Sequence, residues 1–244
     1  MLVLAVESAT DAAAVAVADG DGLLGSLTVA RGRRHTESIA PAIEALCRRL
    51  GIRLSQIETV GVDQGPGLFT GLRVGLATAK ALAFGLEIPL VTASSLEVLA
   101  HAVGLSGLAD AATVVPVVDA RRAEVFSGRF RPSEAGPVAV GPERVQAPEE
   151  LAAELAGRGE TVVLVGNGAL RYRSLFGSIE GATLAGPAYG SPPVRALAEL
   201  SVIRARAGLA VDGAAVLPRY LREADARINW EQRIPARPGR GGSR

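Results

Sequence analysis

Apolar residues come first in three short runs, Leu2 to Val6, Ala12 to Ala18 and Leu23 to Val29, divided by Ser/Thr/Asp and Asp/Gly turns. That pattern predicts an antiparallel meander. The period then lengthens. In TESIAPAIEALCRRLG, Ile39, Ile43, Leu46 and Leu50 recur at helical spacing, with Thr36 placed to cap and Gly51 to stop the helix. Ile57 to Asp63 predicts a buried strand, Leu72 to Gly85 a second helix, Pro89 to Thr92 a strand and Ser94 to Ala102 a short helix, so the first half reads βββαβα. From Thr113 the plan begins again with TVVPVVDA and EVFSGRF as strands. Pro148 to Gly157 and Pro193 to Ala207 have helical spacing, TVVLVGNG is a strand before a second glycine turn, and Gly186 to Pro193 is rich in Pro and Gly. The expected division is 1–106, 107–224 and a tail, 225–244. The tail ends IPARPGRGGSR, which has almost nothing to bury and predicts disorder.

Between the fourth strand and its helix stands GPGLFTGLRVG, Gly65 to Gly75. Glycine allows another backbone or a phosphate to come close, and a helix start offers free N–H groups. The turn is therefore either an anion seat or a point of tight packing. A P-loop would end in Gly-Lys-Ser/Thr and a dinucleotide fingerprint would need glycine at Thr70, so neither applies. A nucleotide cleft built on this fold plan would draw on Ser8 and Thr10 in the first turn, on Gly65, Gly67, Thr70 and Gly71, and on Asp119, Gly166 and Gly168 in the second half. Each also has an ordinary reading as a turn residue or an ion-pair partner.

The chain carries 26 Lys and Arg against 25 Asp and Glu, which gives it no strong claim on nucleic acid or membrane, so any role on RNA calls for a partner. Cys47 is the sole cysteine, which excludes an internal disulfide and a cysteine zinc cluster and suits a reducing compartment. The start, MLVLAVESATD, lacks a basic region and a cleavable apolar segment, and no apolar stretch nears the ~20 residues of a membrane helix. A cytoplasmic protein is expected. His35 and His101, the two histidines, lie far apart, and no G-x-S-x-G elbow is present, so no catalytic residue is assigned.

The glycine run closely resembles the GPGSFTGLRIG motif of the TsaB family, partner subunits in bacterial tRNA threonylcarbamoyladenosine synthesis, with Leu68 in place of serine. Further ordered matches are Glu7 to Thr10, His35-Thr36-Glu37, Asp119-Ala120-Arg121 with Glu124-Val125, and Pro218 to Arg222. The resemblance implies an α/β, actin-like or sugar-kinase-like (ASKHA) fold of two related halves and a cytoplasmic heterodimer with a TsaD-like catalytic paralogue. It further implies a TsaE-like ATPase in the assembled complex, homodimers of the isolated chain, and contact with tRNA only through the complex. The paralogue's metal-binding HLEGH pattern falls on Ser95 to Leu99, and serine and leucine cannot replace two imidazoles, so no metal and no cofactor are expected. An actin-fold small-molecule kinase or a metallopeptidase-like enzyme is the alternative. The family's interface on the first two long helices implies partner contacts from Ile39, Ala42, Ile43, Leu46, Leu72, Gly75, Leu76, Ala79 and Ala83.

Overall fold

A computed structural model describes residues 1–29, 35–109 and 112–222, with 35–37 as helix backbone only. The expected tail disorder and the Thr36 cap lie outside what is described. The first three strands, β1 (Val3–Glu7), β2 (Ala13–Asp19) and β3 (Gly22–Val29), form the meander. They are followed by α1 (His35–Leu50), β4 (Thr59–Asp63), α2 (Phe69–Leu86), β5 (Leu90–Ala93) and α3 (Ser95–Leu105). The second half runs β6 (Thr113–Arg121), β7 (Glu124–Ser127), β8 (Phe130–Arg131), β9 (Val138–Ala139), β10 (Arg144–Gln146) and α4 (Pro148–Arg158). It closes with β11 (Val162–Val165), α5 (Asn167–Arg171), α6 (Arg173–Phe176), β12 (Ala182–Leu184) and α7 (Val194–Arg206).

The repeat, faint in sequence, is plain in topology. One sheet has the order β3-β2-β1-β4-β5 and the other β10-β7-β6-β11-β12, with β8 joining at β6 and β9 at β8. In both, the first three strands of this path pair antiparallel and the last two pair parallel onto the central strand. The short elements α5, α6, β8, β9, β10 and β12 escape sequence reading because they are shorter than the window in which a period can be counted.

Strand alternation assigns each face its cover. Leu4 and Val6 of β1 point to α1 and α2, while Val3 and Ala5 point to the opposite side. That opposite side is covered by Leu197 and Leu200 of α7, which comes from the far end of the chain. Conversely, Leu96, Leu99 and Val103 of α3 pack with Val114, Val118 and Phe130 of the second sheet. Leu151, Leu155 and Phe176 of α4 and α6 cover its other face. The two inner helices are thus exchanged, and a division at 106/107 separates the sheets without separating what covers them. Glu97 of α3 joins the exchange: it pairs with Arg204 of α7 at 2.6 Å, and its other oxygen accepts the Ser94 N–H in a capping box.

Candidate functional site: the glycine turn and the outer helix face

The glycine turn is filled by protein. Gly65 has φ +103 and the Gly65–Pro66 peptide is cis. The Leu68 N–H, at the start of α2, donates to the Ala9 carbonyl at 2.7 Å. A Cβ on Gly67 would stand 2.2 Å from the Ala9 carbonyl oxygen and one on Gly71 2.1 Å from that of Ser8. The room a phosphate would take beside these glycines is occupied by the β1–β2 turn, and the packing reading corrects the anion-seat expectation there. Ser8 is buried and donates its hydroxyl to the Gly71 carbonyl at 2.8 Å; Thr10 is buried too, while Thr70 is exposed. In the second half the same device recurs: a Cβ on Gly166, at φ +108, would lie 2.4 Å from the Val117 carbonyl oxygen, and one on Gly168 would lie 2.9 Å from it. The Asp119 carboxylate binds Arg171 at 3.2 Å and Arg121 at 3.6 Å, and Arg121 reaches Asp11 at 3.7 Å. Of these pairs only the exposed Arg121–Asp11 contact links the turn of the second half to that of the first.

Beneath the turn lies a carboxyl pair that sequence reading missed, because its members are distant in the chain and end two separate strands. Glu7 is 2% exposed and Asp63 1%. Glu7 accepts the Ala9 N–H at 2.8 Å, while one oxygen of Asp63 accepts Gly65 N–H at 2.7 Å and Ser95 Oγ–H at 2.8 Å. Burial, and then the charge of Asp63, push Glu7 well above the usual carboxylate range. Burial also raises Asp63. Ser95, standing where the paralogue's pattern has a metal ligand, spends its hydroxyl on Asp63, and Leu99 sits in the core. Next to them burial raises Glu143, which accepts Ser94 Oγ–H at 2.6 Å and pairs with Arg219 at 2.9 Å. His101 is buried in α3, and burial holds it below its usual value.

The outer face of α2 differs from the expected interface. Ile39, Ala42, Ile43 and Leu46 of α1, with Leu72, Gly75, Leu76, Ala79 and Ala83 of α2, are all buried within this chain. This corrects the assignment: the small residues bring α2 down onto its own sheet, and their area belongs to the fold. What α2 turns outward is Phe69, Arg73, Ala77, Ala81 and Phe84, the last 88% exposed. No Asp or Glu occurs in its 18 residues. The segment after α7 lies alongside. Lys80 donates to the Val216 carbonyl at 2.9 Å, Leu217 is 73% exposed, and the Arg219 N–H donates to the Gln64 carbonyl at 2.7 Å. Tyr220 stacks on Phe69 with centroids 5.6 Å apart, and Arg222 pairs with Glu124. On the other side of α2, a groove of about 380 Å³ runs to α1 between Ile43, Cys47, Ile52, Thr78 and Leu82.

Two halves of identical strand order, each a meander followed by parallel strands and covering helices, define an actin-like, sugar-kinase-like α/β protein. Residues 30–230 match the family described as TsaD: tRNA N6-adenosine threonylcarbamoyltransferase. The chain is 33% identical over 136 residues to the Escherichia coli tRNA threonylcarbamoyladenosine biosynthesis protein TsaB, a match covering 56% of this chain and 58% of that relative's length. It is 25% identical over 236 residues to the Bacillus subtilis TsaB, covering 94% and 98%. The solved structure of YeaZ from Pseudomonas aeruginosa superposes with a TM-score of 0.79 at 27% identity, over 90% of this chain and 99% of that one. The chain belongs to the TsaD family, and to its TsaB members. Among the described residues no helix is long and apolar enough to cross a membrane.

Proposed function

We propose that the chain serves threonylcarbamoyladenosine formation on tRNA as a non-catalytic subunit, binding a TsaD-like catalytic protein in the cytoplasm. One observation carries this reading: the outward face of α2 is apolar apart from Thr70 and Arg73, free of carboxylates and continuous with exposed Leu217 and Tyr220. Exposed apolar faces of this kind mark protein contacts. The acids weigh the same way, since Glu7 and Asp63 are closed off and bonded to the chain itself, which disfavours the kinase and metallopeptidase alternatives. A TsaE-like ATPase then joins the assembled pair, and tRNA meets the complex as a whole.

The test is reconstitution. The chain and a TsaD-like protein from the same genome are expected to co-elute, and modified tRNA to form only with both present. Modification by the TsaD-like protein alone at the same rate, or no co-elution at micromolar concentration, refutes the proposal. Self-association through the same face is the second reading, favoured by the exposure of Phe84 and Leu217 on it, and light scattering of the isolated chain measures it.

A further inference from the structure

Arg73 stands out on the outer face because its neighbours fix it without neutralising it. Its guanidinium carbon lies 3.7 Å from the centroid of the Phe69 ring, and its Nε donates to the Tyr220 hydroxyl at 2.9 Å. Tyr220 itself stacks on Phe69 at an interplanar angle of 27°. One contact comes from the preceding turn of the same helix and the other from a segment far along the chain, and together they hold the guanidinium plane in one orientation. Among the described residues no carboxylate pairs with it. The groove beside it, about 420 Å³, is lined by Leu76, Ala77, Lys80, Val216, Leu217 and Pro218, again without an acid, and Lys80 is already spent on backbone carbonyls.

An exposed arginine normally loses rotamer freedom when it forms an ion pair, which is why surface pairs contribute little. Here that ordering has already happened, and among the described residues the two terminal nitrogens of the fork carry no hydrogen bond, leaving the geometry that grips a carboxylate with two parallel hydrogen bonds. We propose that Arg73, racked on Phe69 and Tyr220, is a preformed receptor for a carboxylate presented by the protein partner that covers α2. This rests on the reading of the chain as a subunit of a TsaD-like complex and names the chemistry of that contact. Phosphate would offer the same oxygens, but the adjoining groove is apolar and suits the stems and methyls of a protein rather than a phosphodiester backbone. A second copy of this chain offers no acid within α2, only Glu87 at its C-cap, and the exposed Glu44 of α1 pairs with Arg48 at 3.4 Å.

The experiment compares wild type, Arg73→Lys, Arg73→Leu and Tyr220→Phe for binding to the TsaD-like protein, with thermal melting of each free chain and a parallel titration with tRNA. Arg73→Leu is expected to weaken pairing by roughly 30-fold or more, the usual result of removing one member of an interfacial charge pair. Arg73→Lys should restore only part, because an ammonium keeps the charge and loses the fork. Tyr220→Phe, which deletes one hydroxyl, should weaken it by roughly fivefold and keeps the test alive if Arg73→Leu does not fold. Wild type that fails to pair would refute the functional reading itself. Wild type that pairs while the folded variants pair within about twofold of it, a margin below a single hydrogen bond, would overturn the receptor. Loss of tRNA binding with pairing intact would assign Arg73 to phosphate and also overturn it.

Discussion

Ser8 is threaded into the second helix: its hydroxyl donates to the Gly71 carbonyl at 2.8 Å, and its own carbonyl oxygen lies 2.1 Å from where a Gly71 Cβ would be. The glycine motif is read by this chain as a socket for its own first turn.

Gly71→Ala and Gly75→Ala should therefore both destabilise, for different reasons. At Gly71 the obstacle is backbone, which cannot rotate away, and a cost of about 3 kcal/mol is expected, the upper range for overpacking. At Gly75 the obstacle is Ser8 Oγ, 2.1 Å from the added methyl. Ser8→Ala should recover much of the loss at Gly75 and none at Gly71, as read from urea midpoints of the single and double variants.

The Glu7–Asp63 pair makes stability depend on pH. The ordinary value for Glu7 is 4.5 and the folded value lies well above it. Below 4.5 the group is protonated in both states and its contribution is fully present. As pH rises, the unfolded chain loses the proton first, so stability falls until pH passes the folded value. Glu97 and Glu143, the neighbouring acids, deepen the same trend at Asp63 or share its direction. Glu7→Gln keeps the shape and removes the proton. Its midpoint denaturant concentration should gain on wild type as pH rises above 4.5 and level off once pH passes the folded value, and parallel curves would refute the raised value.

Ala79 and Ala81 distinguish core from interface on one helix. Ala79 is 0% exposed, so Ala79→Glu buries an unpaired charge and should abolish folding or cost several kcal/mol. Ala81 is exposed, so Ala81→Glu should leave circular dichroism and melting unchanged and reduce pairing with the TsaD-like protein. Native-like melting of Ala79→Glu would contradict the burial.

Arg204→Ala cuts the tie between the inner helices, removing the Glu97 pair and a hydrogen bond to the Thr92 carbonyl. A loss of about 2–3 kcal/mol is expected, somewhat below that for a wholly buried pair. A double-mutant cycle with Glu97→Ala should show coupling, since each single change strands the other charge.

The periodic segments were legible in sequence because alternation and helical spacing report burial directly, and α1, α2, β6, β11 and α7 lie close to where those patterns put them. What a glycine makes room for is not legible: Gly67 and Gly71 look the same beside a phosphate as beside Ala9 and Ser8. Nor is the direction of a buried residue. Ile39 to Ala83 carried the strongest apolar signal and were given to a partner, yet a sheet claims such residues first. The outward face instead carries Ala77, Ala81 and two phenylalanines at the helix ends, which keep helical spacing but are divided by Arg73 and too small at the centre to stand out. Glu7 and Asp63 meet only because β1 and β4 are neighbours, a fact of topology that no local window contains.

The exchange of α3 and α7 bears on how the molecule can be made. The face formed by Val3, Ala5, Ala14 and Ala16 is covered by Leu197 and Leu200, which follow the whole second sheet in the chain. A nascent chain halted before Val194 would display that face bare, a flat strip of alanine and valine exposed to any other unfinished chain. Completion of the first half therefore depends on α7, and the two halves of the duplicated architecture are expected to unfold together rather than in turn.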